Sequence, residues 1–217
     1  APPPGPSPAS SAARVGIDRI VAVVNTDLVL ESDVDAEQRF LAFQPLRAET
    51  TESRDKLLER LIDRDLILQQ MKQQPQPPIP DAEVDAQLAT MRKSLPECAA
   101  YKCDTDAGWT RLAADHGFTP QEVRDRWRTR MEVLRFIEER FRMGIRITQA
   151  EIDDYYKNKL VPAYEKSHTA PPPQASINDR IQEILLQQQV NGLLEDWLKA
   201  LRAQGSVRIL APERGTP

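Results

Sequence analysis

Only two histidines, His116 and His168, and two cysteines, Cys98 and Cys103, occur along the chain. A structural zinc site takes about four Cys or His ligands at close spacing, so this composition speaks against one. The same shortage leaves a residue at a probable helix end (His116) and one in a proline-rich stretch (His168) as the imidazoles open to catalysis. The glycines are scattered and no G-x-x-x-x-G-K run occurs, so ATP-driven action is not expected. No apolar run approaches the ~18 residues a membrane span requires. Basic charge is not in excess either. A net charge of −4 on 29% charged residues describes a mixed-sign surface, not the positive field of a nucleic-acid binder. An apolar share of 40% with 6% aromatics is lean but adequate for a core. An initiator Met and a secretory leader are also missing. APPPGPSPASSAAR is therefore expected to be the front of a processed or truncated product.

Prolines divide what remains. Residues 1–16 are expected to form a disordered Pro-rich arm, and residues 211–217 a flexible tail. Val21 to Val24 reads as a strand, Asn25-Thr26-Asp27 as a turn, and Leu28-Val29-Leu30 as a second strand. Ser32 is the expected N-cap of the next helix, with Asp33 and Asp35 in its first turn, and Pro45 should stop that helix near Gln44. A helix from about Ser53 to Gln73 presents Leu57, Leu58, Leu61, Ile62, Leu66, Leu68 and Met71. After a stiff connector to Pro80, Asp81 caps a third helix carrying Val84, Leu88 and Met91, and Leu95 to Thr105 reads as a loop. A short helix covers Trp109 to Asp115. Thr119, Pro120 and Glu122 then open a long helix reaching toward Met143. Thr148 and Glu151 make a second capping box. A final helix from near Ser176 to about Gln204 ends at Gly205, before a last strand at Ser206 to Leu210. A hairpin is marginal alone, so the closing strand is expected beside it. The reading is a mainly α single domain of about seven helices, with a small sheet formed by the N-terminal hairpin and the C-terminal strand.

Four segments also carry a family resemblance. They are IDRIVAVVNTDLVLESDVDAEQ (17–38), LLERLIDRDLILQQMK (57–72), ITQAEIDDYYKNKL (147–160) and residues 181–210. In that order they resemble the opening hairpin, the next helix, the helix leading into the prolyl-isomerase insert, and the closing helix and strand of SurA-type periplasmic chaperones. The likeness covers most of residues 17–160 and 177–210, and is most specific at the hairpin and at ITQAEIDDYY. It implies a chaperone module over 17–160, completed by 176–210. It further implies a periplasmic location and ATP-independent holding of unfolded polypeptides, outer-membrane protein precursors foremost, without a cofactor, nucleic acid or stable membrane insertion. Where that family inserts parvulin domains, this chain has VPAYEKSHTAPPPQA, a Pro-rich linker at 161–175 too short to fold. Prolyl-isomerase activity, and enzyme activity generally, is accordingly not expected. The second reading is a non-catalytic adaptor of the same fold that binds one dedicated partner or itself. Either a monomer or a strand-exchanged homodimer is compatible with the sequence.

Cys98 and Cys103, spaced C-x4-C, are free thiols in an intracellular protein; the export implied by the resemblance favours a local disulfide. Glu59/Asp63 and Asp153/Asp154 could be imagined as carboxylate dyads, but each sits among Arg and Lys on a helix, where ion pairing is the default. Arg124, Arg126, Arg128, Arg130 and Arg135 are expected to pair within their own helix, with Asp125, Glu132, Glu138 and Glu139. In that helix Val123, Trp127, Met131, Leu134, Ile137 and Phe141 form one stripe, and Val133, Phe136 and Met143 a second flank. Such a helix is either central to the bundle or open on one side to a client. Met131, Phe136, Phe141 and Met143 are the client-binding candidates. Ile177, Ile181, Ile184, Leu185, Leu193, Leu194, Trp197, Leu198 and Leu201 are spaced to pack along the bundle, with Trp197 read as core.

Overall fold

The computed structural model describes residues 18–44 and 52–210; the arm expected at 1–16 and the tail at 211–217 lie outside the described residues. The protein is mainly α-helical with one small antiparallel sheet. Strand β1 (Ile20–Val24) pairs with β2 (Asp27–Leu30) through a tight turn in which Asn25 takes a φ of 56°. Strand β3 (Val207–Ile209) pairs with the other edge of β1, giving the order β2-β1-β3. Val24 faces Val207 and Ala22 faces Ile209 across that pairing. The first and last strands therefore share one sheet, as the sequence leads one to expect.

The inner face of the sheet carries Val21, Ala22, Val24 and Val29, all buried. They pack on Leu57, Leu58, Leu61 and Ile62 of α2 (Arg54–Gln73), with Leu198 and Leu201 of α9 (Asn178–Gln204) at the margin. At roughly 40 Å, α9 is long enough to run the length of the body. Its buried residues are Ile181 and Val190. Leu193, which the spacing assigned to the packed seam, is 45% exposed, because Val190, Leu194 and Trp197 occupy the contact side instead.

Helix α1 (Glu31–Phe40) begins two residues earlier than Ser32 would allow as a cap, with Leu30 in the cap position. Strand β2 runs straight into it. The Leu30 amide donates to Asp33 Oδ2 at 2.9 Å, while the Ser32 hydroxyl donates to the Asp18 carboxylate. A second core lies under α1. It joins Phe40 and Phe43 to α3 (Asp81–Ser94), α5 (Asp106–Asp115) and the first half of α6 (Pro120–Phe141). Phe43, fully buried, sits 5.6 Å from the Trp109 ring and 5.9 Å from the Phe118 ring. The Thr119/Glu122 capping box at the start of α6 is formed. Asp81 is the first residue of α3 rather than its cap, a place taken by Pro80.

Two segments depart from the expected loops. Cys98–Tyr101 is a single helical turn, α4, within the stretch read as loop. Beyond α7 (Gln149–Tyr155), helical geometry continues through Pro162, as a widened turn over Tyr156–Leu160 and then α8 (Val161–Lys166). Proline has no amide hydrogen and crowds the carbonyl four residues back, so the ladder opens to a wider spacing there. The Val161 amide accordingly donates to Tyr156 O. The rest of the linker is held against α7. Tyr156 donates its hydroxyl to Pro172 O at 2.8 Å, and Gln174 donates to Asp153. No helix among the described residues is long and apolar enough to cross a membrane.

Candidate functional site

An α-helix returns side chains to one face every three to four residues, and α2 and α6 use this to make the two walls of a groove. Arg126, Thr129, Arg130, Val133 and Leu134 line the α6 side. Arg60, Asp63, Arg64, Ile67 and Leu68 line the α2 side. Glu37 and Phe40 of α1 close one end, and Leu194 and Leu198 of α9 the other. The enclosed space is about 920 Å³.

The groove changes character along its length. Toward α9 it is apolar, walled by Ile67, Leu68, Val133, Leu134, Leu194 and Leu198, and Leu134 is 49% exposed. Toward α1 it is charged. Glu37, only 5% exposed, accepts from Arg64 at 3.1 Å and lies 3.7 Å from Arg60. Arg126 lies over the Phe118 ring at 5.1 Å and near Phe40 at 5.7 Å. Loss of hydration lowers the Arg126 pKa, with repulsion from Arg64 adding to it. Arg130 stays accessible, yet the groove walls remove enough water from its guanidinium to lower its pKa as well.

The client-binding candidates lie elsewhere. Phe136 is 2% exposed and packs with Ile67, Ile137 and Val190 in a third core between α2, α6 and α9, so no client reaches it. Phe141 is half-buried against Trp197 at 5.6 Å, and Arg140 covers Trp197 at 4.6 Å. Trp197 is thus partly buried at the edge of that core. Met131 packs on the second core. Met143 is 87% exposed in the turn Arg142–Gly144. None of the four lines the groove. The groove residues were present in the sequence as the series 126, 130, 134 and 129, 133, but the apolar-stripe criterion passes over a lining that is half arginine.

The arginines of α6 do not pair as expected. Arg124 bonds Asp85 at 2.8 Å and Asp81 at 3.1 Å, and Arg128 also bonds Asp81, so the bridges join α6 to α3. Arg135 donates to Pro77 O in the connector before α3. The intrahelical reading weighed sequence neighbours alone, and tertiary packing set better-placed acids opposite. Glu59 and Asp63 form a clamp for Arg202 of α9, at 2.6 Å to each. Asp153 bonds Gln149 and Gln174, and Asp154 accepts from Asn158.

Cys98 and Cys103 are joined in a disulfide and are both buried. The loop closes because Lys102 adopts a φ of 57°, which lets the Cys103 amide reach Cys98 O at 3.2 Å. Beside it is a cleft of about 880 Å³ between α3 and α6. Charge crosses this cleft: Arg92 lies over Trp109 at 4.6 Å and Arg124 reaches Asp85. Of these two clefts, the groove between α2 and α6 exposes the more apolar wall. Among the described residues no group of His, Cys, Asp and Glu is arranged to hold a metal ion. His116 stands at the end of α5 with its Nε2 3.1 Å from Glu97.

Comparison of the sequence with protein-family models returns no match, and comparison with curated proteins returns none.

Proposed function

We propose that this protein is an ATP-independent holdase of the SurA-like kind, lacking parvulin domains and holding extended, unfolded polypeptides in the α2/α6 groove. The observation that carries this reading is the open groove whose apolar wall includes Leu68, Val133, Leu134, Leu194 and Leu198. An uncovered apolar trough of that volume suits the side chains of an unfolded segment, and it needs no catalytic group. Held weakly at each contact, a client is releasable without nucleotide, since ordering it offsets much of the contact energy. The edge of β3, with Ile209 53% exposed, offers a further place for a client strand to add. The sequence resemblance supports a periplasmic setting with outer-membrane protein precursors as clients. The local Cys98–Cys103 disulfide fits an oxidising compartment.

The test is suppression of aggregation when an unfolded outer-membrane protein is diluted from urea, without nucleotide, at several-fold molar excess of this protein. Suppression is expected, and it should weaken in Leu134→Ser/Leu198→Ser with the fold retained. No suppression by the wild-type protein rejects the reading. A single stoichiometric partner recovered without holdase activity would favour the adaptor reading instead.

A further inference from the structure

As many carboxylates as cations line the groove, so its formal charge balances, but each carboxylate is engaged by a group other than Arg126 or Arg130. Glu37 is occupied by Arg60 and Arg64. Glu59 and Asp63 are occupied by Arg202, which comes from outside the groove. Asp125 accepts from Gln121 on its own helix, and Asp55 lies 4.0 Å from its neighbour Arg54. Among the described residues, Arg126 and Arg130 have no carboxylate within ion-pairing distance. Their positions one helical turn apart place both guanidinium groups on the groove side of α6. Stacking on Phe118 and Phe40 holds Arg126 in place. Arg60 Nη1 is shut off from solvent in the same wall without a hydrogen bond.

Resting on the polypeptide-binding reading, we propose that Arg126 and Arg130 form an acid-reading subsite. It selects client segments in which an Asp or Glu side chain follows an apolar residue. Arg126, half-buried and stacked on the Phe118 and Phe40 rings, loses less hydration than a free guanidinium on meeting a carboxylate, and the hydrogen bonds that either arginine then makes are charge-assisted. The spacing follows from the helix. Arg130 lies three to four residues from Val133 and Leu134, roughly 5 Å along the axis at 1.5 Å per residue. An extended peptide covers that in about two residues. The occupant is therefore an apolar anchor at the α9 end with an acidic side chain about two positions away.

The experiment is fluorescence anisotropy at low salt with three labelled, N-acetylated peptides sharing one apolar run. The first carries Glu two positions after the run and an amidated C-terminus. The second has Gln in that place. The third has Gln and a free C-terminal carboxylate. The Glu peptide is expected to bind about tenfold more tightly than the Gln peptide, the scale of one charge-assisted hydrogen bond. Arg126→Gln/Arg130→Gln should erase that preference, so that the Glu and Gln peptides bind the variant alike. Arg126→Lys/Arg130→Lys, whose folding is checked by the same urea midpoint, should keep part of it. Equal binding of the Glu and Gln peptides to the wild-type protein overturns the subsite while leaving the groove reading intact. A preference confined to the free C-terminal carboxylate also overturns it. If no peptide binds, the groove reading falls, and the subsite with it.

Discussion

Asn25 and Ser206, separated by 181 positions, exchange two hydrogen bonds at the junction of the first and last strands. The Asn25 amide donates to Ser206 O at 2.7 Å, and the Ser206 amide donates to Asn25 Oδ1 at 2.8 Å. Asn25 Nδ2 donates onward to Gln69 Oε1 at 2.6 Å, which ties the turn to α2. One side chain thus fixes a left-handed turn, the docking of β3 and the seat of α2. Asn25→Ala loses both side-chain bonds and keeps an unfavourable φ, so it should cost about 2 kcal/mol. Asn25→Gly loses the bonds but relieves the φ, and should cost about 1 kcal/mol. Urea midpoints rank the pair, and equal midpoints would remove the backbone argument.

The Cys98–Cys103 loop is tested through both its bond and its neighbour. Cys98→Ser/Cys103→Ser should lower stability by about 2 kcal/mol, as expected for closing a short loop. Intact mass without reductant should show neither thiol alkylated in the native protein. Gly108 is the more sensitive position. A Cβ there would stand 2.2 Å from both Lys102 O and Tyr101 O, which are backbone atoms with no side-chain freedom. Gly108→Ala should therefore cost more than the double cysteine change, about 3 kcal/mol. Thermal melts of the two variants decide the order.

Sequence patterns resolved the parts of this fold that rest on local chemistry. Thr119 and Thr148 cap their helices, because a T-x-x-E box acts within four residues. The pairing of β3 with β1 was legible because Val207 and Ile209 had no other strand to meet. What escaped is set by distant partners. Arg124 and Arg128 turn to Asp81 on another helix, and Phe136 is covered by Val190 of α9. The groove was illegible for the same reason. Its apolar and cationic residues come from α1, α2, α6 and α9, and no single helix displays the pattern.

Glu31 gives a pH prediction with a definite sign. It accepts from Arg54 at 2.7 Å through both Nε and Nη2, and from Arg19 at 2.5 Å. The hydrogen bonds from Arg54 and then Arg19 pull its pKa from 4.5 down to about 2. A folded-state pKa below the unfolded value contributes stability above about pH 4.5 and loses it as pH falls toward 2. Because the site is partly open to solvent, the contribution should be about 1 kcal/mol. Burial raises the pKa of Asp63 and Asp65, which act in the opposite sense over the acid range. Comparing urea midpoints of the wild-type protein and Glu31→Gln from pH 2 to 6 isolates Glu31. Parallel curves would reject the linkage.

Phe136 and Met143 separate a packing role from a client-binding one within a single segment. Phe136 is enclosed by the third core, 6.1 Å from the Trp197 ring, so Phe136→Ala leaves a cavity where α2, α6 and α9 meet. That change should cost about 3 to 4 kcal/mol and weaken holdase activity only in proportion to unfolding. Met143 is almost fully exposed and outside the groove, so Met143→Ser should change neither stability nor client binding. Leu134→Ser should do the reverse of Phe136→Ala. Its side chain is half exposed on the groove wall, so stability should shift by less than about 1 kcal/mol while client affinity drops several-fold. Peptide anisotropy and urea denaturation on the three variants give six readings. Loss of binding in Met143→Ser with full binding in Leu134→Ser would move the client site from the α2/α6 groove to the far end of α6.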